Sequence, residues 1–162
     1  MLRALVLSDI HGEDTTFRWL LEQVWRDVGP IDYYLCLGDG VRDFQRVEGF
    51  IRQRDEHAIL YAVKGNNDWC DEPLKRIVLM GEVRVFMTHG HEQRVKSGLR
   101  DLYAAVRGAD CAVGLYGHTH CPDIEMNVPL LVNPGAVCKD RCALLEVEGK
   151  KARARLLDYS IG

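Results

Sequence analysis

The chain has 162 residues, 47% of them hydrophobic, and a formal net charge of −3. That length suits one domain spanning residues 1–162 with a core of its own, and a pI near 6.1 excludes the broad cationic field needed to hold duplex nucleic acid. Apolar runs fall short of the roughly 20 residues of a spanning helix, the N-terminal MLRALVLSD is too briefly apolar for a signal peptide, and six cysteines without a C-x-x-C pair suggest a reduced, cytoplasmic protein.

In chain order, residues 2–7 (LRALVL) read as a strand buried on both faces. From Asp14 to Val28 the residues Phe17, Leu20, Leu21, Val24, Trp25 and Val28 share one helical face, and Gly29-Pro30 stops the helix. A second strand is expected at 31–37 (IDYYLCL), a helix at 41–53 that Gly49 weakens, and a third strand at 58–63 (AILYAV). Residues 77–80 and 83–88 flank Gly81-Glu82 and predict a hairpin. A third helix is expected over 95–107 before Gly108, then a strand at 111–116 (CAVGLY), and a last hairpin from 142–147 and 152–158 around Glu148-Gly149-Lys150-Lys151. Strands alternating with helices, then strands alone, predict an α/β sandwich of mixed sheets covered by helices.

Directly after each of five expected strands stands a cluster of polar side chains: Ser8-Asp9-Ile10-His11, Gly38-Asp39, Gly65-Asn66-Asn67-Asp68, His89-Gly90-His91 and Gly117-His118-Thr119-His120. Five of the six histidines lie in these loops, while His57 sits in the charged stretch RQRDEHA and reads as a surface residue. Taken singly, an Asp can cap a helix, a His can be a hydrogen-bonded structural residue, and Asn-Asn-Asp can be turn chemistry. Together Asp9, His11, Asp39, Asn66, His89, His118 and His120 form a set of metal ligands gathered beyond the carboxyl ends of strands. In D-x-H and H-x-H the outer residues of an extended segment face the same way, so Asp9 with His11, and His118 with His120, would each face one cavity.

Seven groups exceed the four or so positions of one zinc-like site but suit two ions sharing a carboxylate. Two divalent cations carry about +4, against about −2 from the carboxylates and −1 from a bridging hydroxide, so the centre is positive and a phosphate group is its natural guest.

This ordered motif set, D9-x-H11, G38-D39, G65-N66-N67-D68, H89-G90 and G117-H118-T119-H120, resembles the calcineurin-like metallophosphoesterases, and the length is similar to their small phosphodiesterase branch. That branch also includes a retromer scaffold subunit that serves as a protein-binding platform. Asn133-Pro134-Gly135 looks like the branch's loop before the final strands. The resemblance implies a four-layer αββα fold, two divalent transition metals (manganese first, with iron, cobalt, nickel or zinc as alternatives), and a small phosphate-ester substrate. It implies Asp9, His11, Asp39 and His120 around one metal and Asp39, Asn66, His89 and His118 around the other, with Asp39 bridging.

The superfamily's wider pattern carries a histidine where this chain has Asn67, and an amide cannot transfer a proton near neutral pH. Catalytic roles are therefore expected around Asn67, with Asp68 orienting a neighbour or capping a turn and His91 as a substitute acid or phosphate contact. Arg42 and Arg94 are candidates for substrate oxygens, against a plain surface role. The expected function is a metal-dependent phosphodiesterase using a hydroxide bridging two metals. The alternatives are a non-catalytic scaffold on the same fold and a nucleotide-polyphosphate or phosphomonoester hydrolase. Membrane and nucleic-acid partners are not expected, and the sequence carries no signal for an oligomeric state.

Overall fold

The computed structural model describes residues 1–12 and 14–160. Among the described residues, ten strands form two five-stranded mixed sheets. In the first, β1 (Leu2–Leu7), β2 (Tyr33–Cys36) and β3 (Ile59–Ala62) run parallel, and β1 also pairs antiparallel with β9 (Arg141–Glu148), which pairs with β10 (Lys151–Asp158). In the second, β5 (Val83–Thr88), β6 (Val113–Leu115) and β8 (Leu130–Asn133) run parallel, flanked by antiparallel β4 (Lys75–Met80) and β7 (Asp123–Glu125).

Three apolar clusters separate four layers, and the period of two along each strand decides which cluster a side chain enters. On β1, Leu5 and Leu7 face α1 (Asp14–Val28), whose Phe17, Leu20, Leu21 and Val24 are buried there. Ala4 and Val6 face the other way, into the layer between the sheets, with Leu35, Val85, Met87, Leu115 and Val132. Beyond the second sheet, Phe86 and Leu131 pack on Leu102 and Val106 of α4 (Arg100–Gly108). Central strands thus bury both faces, each Leu or Val contributing about 1.5–3 kcal/mol, and their sequences are continuously apolar instead of alternating. The architecture is the expected αββα sandwich. Among the described residues no helix is long and apolar enough to cross a membrane.

Several elements differ from the sequence reading. The helix expected over 41–53 is two, α2 (Val41–Arg46) and α3 (Glu48–Arg54), because the Val47 N–H is shared between the carbonyls of Asp43 and Phe44. Val41, Phe44, Val47 and Ile51 all remain buried, so the bend serves packing. The helix expected from 95 begins as a 3-10 turn, Val95–Ser97, broken by Gly98 at φ +125° before α4 starts at Arg100. The short strands β7 and β8 carried no clear signal. Both hairpins form: Met80 pairs with Val83, and Glu148 with Lys151, leaving two-residue turns led by Gly81 and Gly149 at positive φ.

Candidate metal centre

Three parallel strands of one sheet and two of the other end at a common rim, and their loops interlock there. The Asp9 N–H donates to the Gly38 carbonyl at 3.0 Å, His11 N–H to Asp39 at 3.2 Å and Gly117 N–H to His89 at 2.9 Å. Glycine permits this approach: a Cβ on Gly117 would stand 2.0 Å from Ser8 Oγ, and one on Gly65 would stand 2.2 Å from Asp39 Oδ1. Asp9, His11, Asp39, His118 and His120 all adopt left-handed backbone, with φ of 56°, 53°, 57°, 72° and 63°. Such conformations cost free energy in non-glycine residues and persist where the surroundings demand them. This also corrects the geometric reading of D-x-H and H-x-H. The paired side chains converge through left-handed turns, not through the alternation of an extended segment.

Around Asp9 Oδ1, the Nε2 atoms of His120 and His11 lie at 3.3 Å and 3.6 Å, and those two nitrogens are 3.3 Å apart. Asp39 Oδ2 stands 3.3 Å from His89 Nε2, which is 3.2 Å from His118 Nδ1. Donors at about 2.05 Å from a tetrahedral ion are separated by about 3.3 Å, so both constellations have the edge lengths of a coordination polyhedron. Asp39 belongs to both groups, since its carboxylate also lies within 4.8 Å of the donor atoms of Asp9 and His11.

Asp9 is fully buried, with Oδ2 bonded by Ser8 Oγ at 2.7 Å and by the His118 N–H at 3.3 Å, whereas Oδ1 has no hydrogen-bond partner. A buried carboxylate oxygen left this way is costly unless a cation answers it. His89 is placed as a ligand by its other nitrogen: Nδ1 faces the Leu37 carbonyl at 2.8 Å, a pure acceptor, so Nδ1 carries the proton and Nε2 of the neutral ring offers its lone pair.

Burial alone would raise the Asp39 carboxyl, but the hydrogen bond and charge of His89, with two donors from Asn67, overcome it and hold Asp39 far below the usual carboxylate range. Burial likewise opposes protonation of His89, yet Asp39 and Asp9 raise it above the ordinary histidine value. His91 and His118 are both lowered, by burial and then by the neighbouring His89 charge.

The other expected residues separate. Asn67 donates its backbone N–H to Asp39 Oδ1 and its amide Nδ2 to Oδ2, both at 3.0 Å, so it aims the shared carboxylate. Both oxygens of Asp68 are spent on backbone amides: Oδ2 on Asp39 and Gly65 at 2.7 Å, Oδ1 on Gly40 at 2.9 Å and Val41 at 3.1 Å. With four acceptor positions used, the carboxylate ties two loops together and has no capacity left for proton transfer. Asn66 is exposed and lines a cleft of about 590 Å³ together with His91, Arg42, Lys64 and Trp69. Arg42 donates to the Trp69 carbonyl at 3.0 Å on that rim. Arg94 is turned instead to Asp101 at 2.7 Å, away from this cleft, and His57 is exposed on the surface.

Four residues shape the site without a role assigned from the sequence: Ser8 and Asn133, which lie within its motifs, and Asp43 and Cys138, which do not. Ser8 fixes Asp9; buried Asp43 accepts the Gly12 N–H at 2.8 Å and pairs with Arg46, anchoring the loop after His11. Asn133 donates to Thr119 Oγ1 at 2.8 Å and to the Gly117 carbonyl, shaping the H-x-H loop. Cys138 stands beside His11 and His120. Their motifs could have marked Ser8 and Asn133, whereas Asp43 and Cys138 reach the site through long-range folding.

Residues 2–150 match the calcineurin-like phosphoesterase superfamily domain. A probable metallophosphoesterase of Methanocaldococcus jannaschii is 29% identical over 143 residues, covering 88% of this chain and 71% of that one. Among solved structures, a novel archaeal phosphodiesterase shares the fold with a TM-score of 0.73 at 23% identity, covering 96% of this chain and 100% of that one. Wild-type Vps29 of Entamoeba histolytica complexed with zinc also has a TM-score of 0.73, at 18% identity, covering 98% and 100%. At those identities the two structures speak for the fold alone. By the extent of the family match and by the donors gathered at its strand ends, this chain belongs to the calcineurin-like phosphoesterase superfamily.

Proposed function

We propose that the chain is a phosphodiesterase with a dinuclear metal centre, Asp9, His11, Asp39 and His120 holding one ion and Asp39, Asn66, His89 and His118 the other. The observation that carries this reading is the position of Asp39, whose carboxylate is within ligand range of both donor groups. The imidazole and carboxylate donors suit manganese, iron, cobalt, nickel or zinc, with manganese the first choice. When bound, such ions supply positive charge for phosphate oxygens and acidify a water that can attack phosphorus.

The chain's own residues divide the remaining work. Asn67 orients Asp39, and Asp68 holds the Asp39 and Gly65 loops in register. Arg42 and Lys64 line the cleft where ester oxygens would lie. His91 flanks the same cleft, and burial lowers its affinity for a proton, which disfavours the protonated form a general acid needs. With Asn67 unable to act as an acid, departure depends on the leaving group's own stability. Small diesters with acidic leaving groups are the substrates that fit, and the reducing cytoplasm suits buried thiols such as Cys36 and Cys142.

The test is hydrolysis by chelated and metal-reconstituted protein. Bis(p-nitrophenyl) phosphate should turn over with manganese at a higher kcat/KM than p-nitrophenyl phosphate or a dinucleotide polyphosphate, and Asp39→Asn should abolish turnover while leaving the protein folded. No turnover with manganese, iron, cobalt, nickel or zinc overturns the reading, and partner binding indifferent to chelation would then favour a scaffold.

A further inference from the structure

Asn133-Pro134-Gly135 leads into a 3-10 turn, Val137–Lys139, that is docked on the first metal-binding loop. Val137 N–H donates to the Ser8 carbonyl at 2.9 Å and Cys138 N–H to the Asp9 carbonyl at 3.3 Å, while the fully buried Val137 side chain is locked into the cluster beneath α1. The turn therefore carries Cys138 to the His11/His120 side of the centre. One donor nitrogen of His11, one of His120 and the Cys138 Sγ lie within 4.8 Å of one another. A second observation points to a cation at the same place: Asp9 Oδ1, buried and unpartnered, is 3.3 Å from His120 Nε2. Cys142, four residues on, packs in the apolar core and takes no part.

We propose that Cys138 is a sulfur ligand to the ion held by Asp9, His11 and His120, and that it makes this position select a thiophilic metal such as zinc, cobalt or iron over manganese. The inference rests on the dinuclear reading and deepens it. A thiolate is the softest donor in the set, and soft donors draw zinc-like ions, whereas the nitrogen and oxygen donors around His89 and His118 impose no such bias. With both kinds of metal supplied, the first position then prefers zinc, cobalt or iron and the second takes manganese, while manganese alone can still fill both.

Cobalt substitution distinguishes the two levels of the argument. The cobalt-loaded protein should show visible d–d bands together with an intense near-ultraviolet sulfur-to-cobalt charge-transfer band. Cys138→Ser should lose the latter, and Cys121→Ser, which removes an exposed thiol next to His120, should keep it. In mixtures of zinc and manganese, the bound zinc-to-manganese ratio read by elemental analysis should fall about tenfold in Cys138→Ser. Cobalt d–d bands without the charge-transfer band in the unmodified protein overturn the sulfur ligand and leave the dinuclear reading standing; failure to take up cobalt, zinc or manganese overturns both. Should Cys138→Ser not fold, alkylation of the unmodified protein decides: zinc should shield Cys138 from iodoacetamide while Cys121 still reacts, and equal labelling of Cys138 with and without zinc refutes the proposal.

Discussion

Asp68→Ala separates a structural carboxylate from a chemical one. Its oxygens accept four backbone N–H bonds of 2.7–3.1 Å, from Asp39, Gly40, Val41 and Gly65. Hydrogen bonds to a charged group contribute about 1.5–3 kcal/mol each, but these four share one side chain and the site is partly open, so water replaces some of them. A loss of about 3–5 kcal/mol is expected, a large fraction of the 5–15 kcal/mol of a typical domain. Asp68→Asn keeps one carbonyl oxygen, able to accept two of the four, and should lose about half as much. Urea unfolding of the metal-free protein reads both values, and isothermal titration with manganese should show weaker binding in the same order, because the Asp39 amide is among the released donors. A loss below about 1 kcal/mol for Asp68→Ala, with normal metal affinity but lost turnover, would refute this account and return Asp68 to the chemistry.

Gly117→Ala should destabilise by about 1–3 kcal/mol in a thermal melt, since its Cβ would sit 2.0 Å from the Oγ and 2.9 Å from the Cβ of buried Ser8; an unchanged melting temperature would show that the two rims are not pressed together as described. Asn67→Ala removes the 3.0 Å bond from Nδ2 to Asp39 and should weaken metal affinity about 10–100-fold by titration calorimetry, whereas intact affinity with a rate loss confined to poor leaving groups would place Asn67 at the leaving group instead. The metal-free protein should be most stable near pH 6.5. His91 and His118, lowered in the fold, make stability rise with pH up to the ordinary histidine value of about 6.5, and His89, raised in the fold, adds stability below that value that is lost as pH climbs through its native pKa. Melting temperatures across this range should show the alkaline decline flattened in Asp39→Asn, and an equally steep decline there would sink the assignment to the His89–Asp39 pair. Added metal competes with the proton on His89, so the rise in melting temperature that it brings should grow with pH over the same window.

Local sequence pattern is enough to say where chemistry-bearing residues enter the fold. Continuous apolar runs such as LRALVL announce strands covered on both faces, and the ligand-type residues follow them directly, so the rim is legible along the chain. The helix over 14–28 was equally legible, because its apolar period and its Gly29-Pro30 stop are local signals. Tertiary structure decided what depends on partners distant in sequence. The left-handed backbone at Asp9, His11, Asp39, His118 and His120 is imposed by loops bonded across the rim, not by intrinsic preference. Asp68 reads as orienting a neighbour or capping a turn until four amides converge on it, and Arg94 as a substrate contact or a plain surface residue until Asp101 takes its guanidinium. Cys138 looked like one thiol among six, and only the docking of its turn on the Asp9 loop, nearly 130 residues upstream, brings it to the histidines. Local patterns are written along the chain, whereas a polyhedron of donors is a relation between segments and exists only once the two sheets have closed on one another.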